Sequence, residues 1–435
     1  MNFKKILFVG ALAWLSASAF AQDKPQIQFY GFVRNYYTYD SRACKSGTAE
    51  LYNYLPLDVN DNGQGQDLNA VPTAKWSSLT SRLGVDVKGY SYKDYSFSAK
   101  IEADFYSGLS GVTGTAAFRL RQACFDITAP KGLRLRLGQA WHPLAADMPD
   151  CIALETAVPF GPFHRTPQVN LLWPASSKWS FNAVASWQVQ YTSAGPEGAS
   201  ANYQKYSRTP ELFASANYSH KGFTARLGVD MLSISPRVMT AGKLLVNERL
   251  STFMGFAYLQ YKKGLFCIKA KSLLAQAGEH MNMLGGYGVS AINEDGSWEY
   301  TPTLTSSSWL SASYGKEYKV SFFAGYLKCF GTMDELVPVE GSDSLADAAA
   351  HWLCKSAYPN VNSAFRLTPT LSWNPGRFTL ALEYQLTAAQ YGAYASFTDS
   401  EGTVHKQCVN LHGLATNNLH WVYNHRIQLM TKFTF

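Results

Sequence analysis

Three groups of residues in this 435-residue chain have side chains of the kinds that chemistry uses. The first is histidine. His142 and His164 stand on either side of a stretch rich in Pro and Gly, and His405, His412 and His420 gather near the C-terminus. A hydrolase needs a Ser or Asp nucleophile with a His base and an orienting group at its side, and no such partner pattern surrounds these histidines. The spacings of seven and eight residues among His405, His412 and His420 match no short ligand motif. The second group is Gly285-Gly286-Tyr287-Gly288, which would cradle a phosphate only between a strand and a helix, a context missing here. The third is cysteine: Cys44, Cys124, Cys151, Cys267, Cys329, Cys354 and Cys408. An odd count leaves one unpaired. Cys329 and Cys354 flank one polar segment and could close it; isolated thiols are the plainer reading. No enzyme activity, no metal and no cofactor is expected.

Charge is a more informative signal. Arg34, Arg82, Lys100, Glu102, Asp104, Arg134 and Arg136 all fall on the polar parity of segments that alternate apolar with polar residues, as do Arg226, Lys269, Lys271, Arg366 and Arg426. Arg119, Arg121 and Arg165 lie close by, and Asp147, Asp150 and Glu155 sit in the Pro-rich stretch 141–164. A row of guanidinium groups along a wet wall lowers the barrier for anions and raises it for cations. Alternatively the arginines pair with Asp86, Glu102 and Asp104, which would leave weak selectivity.

The elements that carry these charges have a period of two, which sorts residues onto two faces. Phe97, Ala99, Ile101, Ala103 and Phe105 oppose Ser96, Ser98, Lys100, Glu102 and Asp104; Trp179 to Tyr191 alternates in the same way. Sixteen such segments follow one another: 26–39, 81–89, 95–105, 118–128, 133–140, 165–173, 178–191, 209–219, 223–233, 249–261, 266–276, 303–315, 318–328, 362–374, 377–388 and 420–435. Tight turns such as Ala129-Pro130-Lys131-Gly132 and Lys262-Lys263-Gly264 alternate with long polar connections. Two segments are irregular. In Phe118 to Thr128, Arg119 and Arg121 share one parity and Asp126 takes the other, so a bulge or a misplaced strand end is expected; Arg249 to Tyr261 is apolar on both faces.

A soluble sandwich has no reason to place every short connection at one end and every long one at the other, whereas an outer-membrane barrel does. The reading is an all-β fold: a 16-stranded antiparallel transmembrane β-barrel whose third long connection, 141–164, folds inward. Sixteen strands leave a water-filled lumen. With 46% apolar and 16% charged residues the chain is not disordered, and a formal charge of +7 specifies no nucleic-acid partner. Lys4 and Lys5, the apolar run from Ile6 and Ala19-Phe20-Ala21 read as a signal peptide over 1–21, leaving 22–435 as the barrel. The expected location is the bacterial outer membrane, and the expected partners are its lipid and small solutes. The expected function is a porin passing small hydrophilic, anionic solutes; a structural or adhesive barrel presenting long loops at 277–302 and 329–361 is the alternative.

Ser81-Arg82-Leu83-Gly84, Lys100-Ile101-Glu102-Ala103-Asp104-Phe105, Leu120-Arg121-Gln122-Ala123, Leu137-Gly138-Gln139-Ala140-Trp141 and Arg165-Thr166-Pro167-Gln168, after Phe29-Tyr30-Gly31-Phe32-Val33-Arg34, resemble the DcaP-like outer-membrane porins, especially their Bacteroidetes-type relatives. The resemblance implies a homotrimer of sixteen-stranded barrels, a third loop that narrows each channel, and small, often anionic, substrates. On that reading the constriction sets Asp147, Asp150 and Glu155 against Arg34, Arg82, Arg119, Arg121, Arg134, Arg136 and Arg165.

Overall fold

The computed structural model describes residues 25–47, 50–106, 116–153, 157–337, 354–355, 360–393, 395–398, 402 and 404–435. The expected signal peptide and Glu155 lie outside the described residues. Sixteen strands form the wall: β1 (Gln26–Asp40), β2 (Arg82–Tyr92), β3 (Tyr95–Tyr106), β4 (Ala117–Thr128), β5 (Arg134–Trp141), β6 (Arg165–Pro174), β7 (Trp179–Ser186), β8 (Glu211–His220), β9 (Phe223–Ile234), β10 (Leu250–Lys263), β11 (Phe266–Gln276), β12 (Trp298–Gly315), β13 (Tyr318–Thr332), β14 (Val361–Trp373), β15 (Phe378–Tyr391) and β16 (His420–Thr434). Each pairs antiparallel with the next, as in β2–β3, β8–β9 and β15–β16. The ring closes because β1 pairs β2 through Gln26–Phe32 and β16 through Phe32–Asp40. Closure removes the unpaired sheet edge that lipid does not tolerate. No helix among the described residues is long and apolar enough to cross a membrane.

The period-two pattern determines which way each side chain points. Leu227 and Val229 are 67% and 61% exposed on the outer face, while Arg226 and Asp230 on the same strand point inward. At the short-turn end, aromatics flank the connections: Trp173 with Phe181, Trp179 with Tyr218, and Tyr318 stacked on Trp373. Such a girdle marks the boundary between hydrocarbon and water. The seam is tight at Gly31, where a Cβ would lie 2.5 Å from the Arg82 carbonyl and 2.7 Å from the Phe435 ring. Gly31 and Phe435 also exchange two backbone hydrogen bonds there.

Three features depart from the expected segments. β7 ends at Ser186 rather than Tyr191, because Gln188 leaves the ladder: its backbone N–H donates to Gln204 Oε1 and its side-chain amide to Ser193 Oγ. β12 begins at Trp298, since its first residues, 298–302, pair with a further strand, Gly286–Ile292. In the first long connection, Cys44–Gly47 and Tyr52–Pro56 form a hairpin and Thr73–Ser77 pairs the outer half of β1. All seven cysteines are free thiols, the plainer of the two readings.

Candidate functional site

The expected bulge is in β4. Glu102 pairs Gln122 and Ala103 pairs Leu120, so Arg121 is the extra residue. A bulge lets parity change along one strand. Arg119, Arg121, Gln122 and Asp126 therefore all turn to the inner side, while Phe118 and Leu120 before it and Phe125 after it stay outside.

The inward groups form one charged sector on β1–β6. Arg121 donates from Nε to Glu102 at 2.9 Å and from Nη1 to Asp104 at 2.6 Å, and Arg119 forks onto Asp104 with two 2.9 Å bonds. Arg82 lies 3.5 Å from Glu102. Lys100 pairs Asp86 at 2.7 Å and donates to Tyr30 Oη, and Arg136 forks onto Asp126. Arg34 bonds Thr80 and packs on the Phe32 and Tyr36 rings; Arg165 stacks on Trp141 at 4.7 Å and donates to Tyr191 Oη. Among the described residues Arg165 and Arg134 have no carboxylate within 4.0 Å. Arg34, Arg121, Arg165, Glu102 and Asp104 are buried, whereas Arg82, Lys100, Arg119, Arg134 and Arg136 keep partial exposure. Pairing with Asp86, Glu102, Asp104 and Asp126 is thus extensive, yet the cations just described outnumber these acids.

Asp147 and Asp150 of the third connection are placed elsewhere. Asp147 takes a 2.5 Å bond from Arg226 and lies 3.6 Å from Lys271; Asp150 lies 3.3 Å from Lys269 and 3.1 Å from Lys319. These cations belong to β9, β11 and β13, so the two acids are neutralised by that wall and do not reach the arginines of β1–β6. Burial pushes the Asp150 carboxyl up, but Lys269 and Lys319 outweigh it and hold the group below the usual range.

Further contacts tie residues 142–153 and 157–163 to inner-face side chains. Tyr36 Oη donates to the Ile152 carbonyl, Ser307 Oγ to that of Phe160, and Arg366 to that of Val158. Lys271 donates to the Leu144 carbonyl and Glu383 accepts from the Ile152 N–H. Leu144, Ala157 and Phe160 join Phe213, Met254, Phe256, Leu273, Trp309 and Phe323 in one apolar cluster. The two apolar faces of β10 have their explanation here: one meets the outside and the other meets this connection. The first connection contributes too, since Arg366 binds the carbonyls of Asn53 and Tyr54, and Arg426 those of Glu50 and Leu51 while forking onto Asp40. A cavity of about 520 Å³ remains beside Asp147–Ile152, with Lys269, Lys319 and Lys432 in its lining.

No family model and no curated protein matches the chain. Solved structures do. The outer membrane channel DcaP of Acinetobacter baumannii superposes with a TM-score of 0.62 at 15% identity, covering 94% of this chain and 97% of that one. An anion-selective porin from Comamonas acidovorans gives 0.53 at 12% identity, covering 95% and 100%. The trimer form of OmpT, an outer membrane protein of Vibrio cholerae, gives 0.51 at 10%, again over 95% and 100%. The chain has the porin fold. Identities this low carry the fold alone.

Proposed function

We propose that the chain is an outer-membrane porin through which small hydrophilic solutes diffuse, anions ahead of cations, without a catalysed reaction. The observation that carries the reading is a closed sixteen-stranded ring with an apolar exterior and an inner face dense in arginine. An exterior of that kind is stable only in lipid, and a ring of that size encloses water. The third connection serves as the constriction: its hydrogen bonds run to β1, β9, β11, β12, β13, β14 and β15, which would hold it across the lumen and leave the passage along β1–β6. There Arg82, Arg119, Arg134, Arg136 and Lys100 meet the solute, and the buried Arg34, Arg121 and Arg165 add to the field behind them. Three such barrels side by side would form the homotrimer, as in the trimer form of the Vibrio outer membrane protein. Reconstitution in planar bilayers tests the reading. Stepwise conductance with a reversal potential on the anion side of a salt gradient is expected. Silence in every salt would favour an adhesive barrel, and a cation-side potential would remove the arginine sector from the mechanism.

A further inference from the structure

Between the two ends of the third connection and the wall beside it lie five titratable side chains that solute passage does not use. His142 follows β5 and His164 precedes β6; Glu211 opens β8, Asp230 lies on β9, and His280 comes from the connection after β11. All five are buried, His142, His164 and Glu211 completely. One ligand atom from each of His142, His164 and Glu211 lies within 4.8 Å of the others, and the same is true of Glu211, Asp230 and His280. The His142 and His164 rings stand 4.4 Å apart, and His142 Nε2 is 3.7 Å from Asp230 Oδ1. Among the described residues His164 Nδ1 and Nε2, His142 Nε2 and Asp230 Oδ1 have no hydrogen-bond partner.

This pattern differs from an ordinary buried polar network. Buried polar atoms are normally satisfied, and here four of them converge without partners. Two buried carboxyl groups need compensating positive charge, and among the described residues the cation-forming groups within 4.0 Å are histidines alone, His280 at 2.9 Å from Glu211 and His142 at 3.7 Å from Asp230.

We propose that His142, His164 and Glu211, with Asp230 as the fourth donor, form a binding site for one divalent first-row transition ion of the Zn²⁺ class. Mixed imidazole and carboxylate donors in a four-atom shell are what such ions take, and an M²⁺ ion matches the two carboxylate charges. His280 is a positioning residue: its Nε2 meets Glu211 Oε1 at 2.9 Å, while Ser186 Oγ donates to Oε2 at 2.9 Å, which fixes the carboxylate. Ligation through His142 Nε2 puts the ring proton on Nδ1 and gives up the long 3.3 Å contact with the Leu144 N–H. Because His142 and His164 stand at the two ends of the third connection, whose backbones touch at 3.4 Å, the ion would clamp that connection at its neck to β8 and β9.

The test uses the full chain, refolded in detergent after denaturation with a chelator and then titrated with Co²⁺ and Zn²⁺. Stoichiometric uptake of one Co²⁺ per chain, with d–d absorption that Zn²⁺ displaces, is the expected result. Uptake disappears in His164→Gln and Glu211→Gln and weakens about 10–100-fold in His280→Gln, while His412→Gln and His420→Gln retain it. Each variant's folding is read separately from its heat-modifiable gel migration. If the refolded wild-type chain takes up no stoichiometric metal, or if His164→Gln binds as well as wild type, the site is refuted. Should the variants fail to fold, X-ray absorption at the zinc edge of the wild-type protein decides: a shell with fewer than two imidazoles also refutes it. None of these readouts depends on solute passage.

Discussion

Arg121 has an outsized role for a single side chain. It is buried and bridges Glu102 and Asp104, two carboxylates that its loss would leave facing each other with less compensation. Removing one partner of a buried pair costs about 3–5 kcal/mol, so Arg121→Gln is expected to lower unfolding stability in lipid vesicles by that order. Arg121→Lys should recover only part, because an ammonium cannot fork between two acids; a urea titration followed by tryptophan fluorescence measures both. Asp150 gives a pH signature of its own. Its carboxyl titrates below the ordinary 3.8 when docked against Lys269 and Lys319. The docking contribution is therefore complete above pH 3.8 and disappears as pH falls through the lower folded value. Single-channel current should rise in that acid window, and Asp150→Asn should show the raised current already at pH 7 with no acid step.

At the scale of a strand, the β4 bulge decides what the sector can contain. Deleting Arg121 should leave a folded barrel, because Leu120 already pairs Ala103 and Gln122 already pairs Glu102. Deleting Ala214 from β8, whose ladder is regular on both sides, moves half of that strand's side chains to the wrong face and should abolish folding. Gel mobility before and after heating distinguishes the two. The same period explains what could be read from sequence. All sixteen wall strands were legible because lipid on one side and water on the other impose alternation on nearly all of them, and the parity conflict between Arg121 and Asp126 raised a bulge as one of two readings. The inner apolar cluster around Phe160 and Met254 was not legible: a strand covered on both faces loses its alternation, and β10 then resembles any buried strand. The partners of Asp147 and Asp150 were hidden for a different reason, since a connection's position across a barrel depends on contacts with residues 79 or more positions away. The histidine and carboxylate cluster left only one trace, His142 and His164 at the two ends of the third connection.

Taken as a whole, the molecule has one wall given to charge and another given to holding the third connection, and Gly325 on β13 lies where they are kept apart. Its Cβ would fall 2.6 Å from Cγ of Phe160, the most deeply buried aromatic of that connection. β13 at this point pairs regularly with β12 and β14, so a β-branched residue suits the strand itself. Gly325→Val therefore has no conflict with the barrel and a direct one with Phe160. Displacing the ring also opens the cavity between Leu144, Trp309 and Phe323, a loss comparable to truncating a core Phe at about 3–5 kcal/mol. That figure applies to the docking of the connection and not to the closed ring, whose ladder is untouched. The expected phenotype is a normal heat-modifiable barrel with larger single-channel conductance and weaker discrimination among solutes of different size. Phe160→Ala should give the same phenotype by removing the other partner. If Gly325→Val folds and conducts as the wild type does, the docking of Phe160 does not set the width of the passage, and the constriction must be sought in the first connection around Leu51 and Leu55.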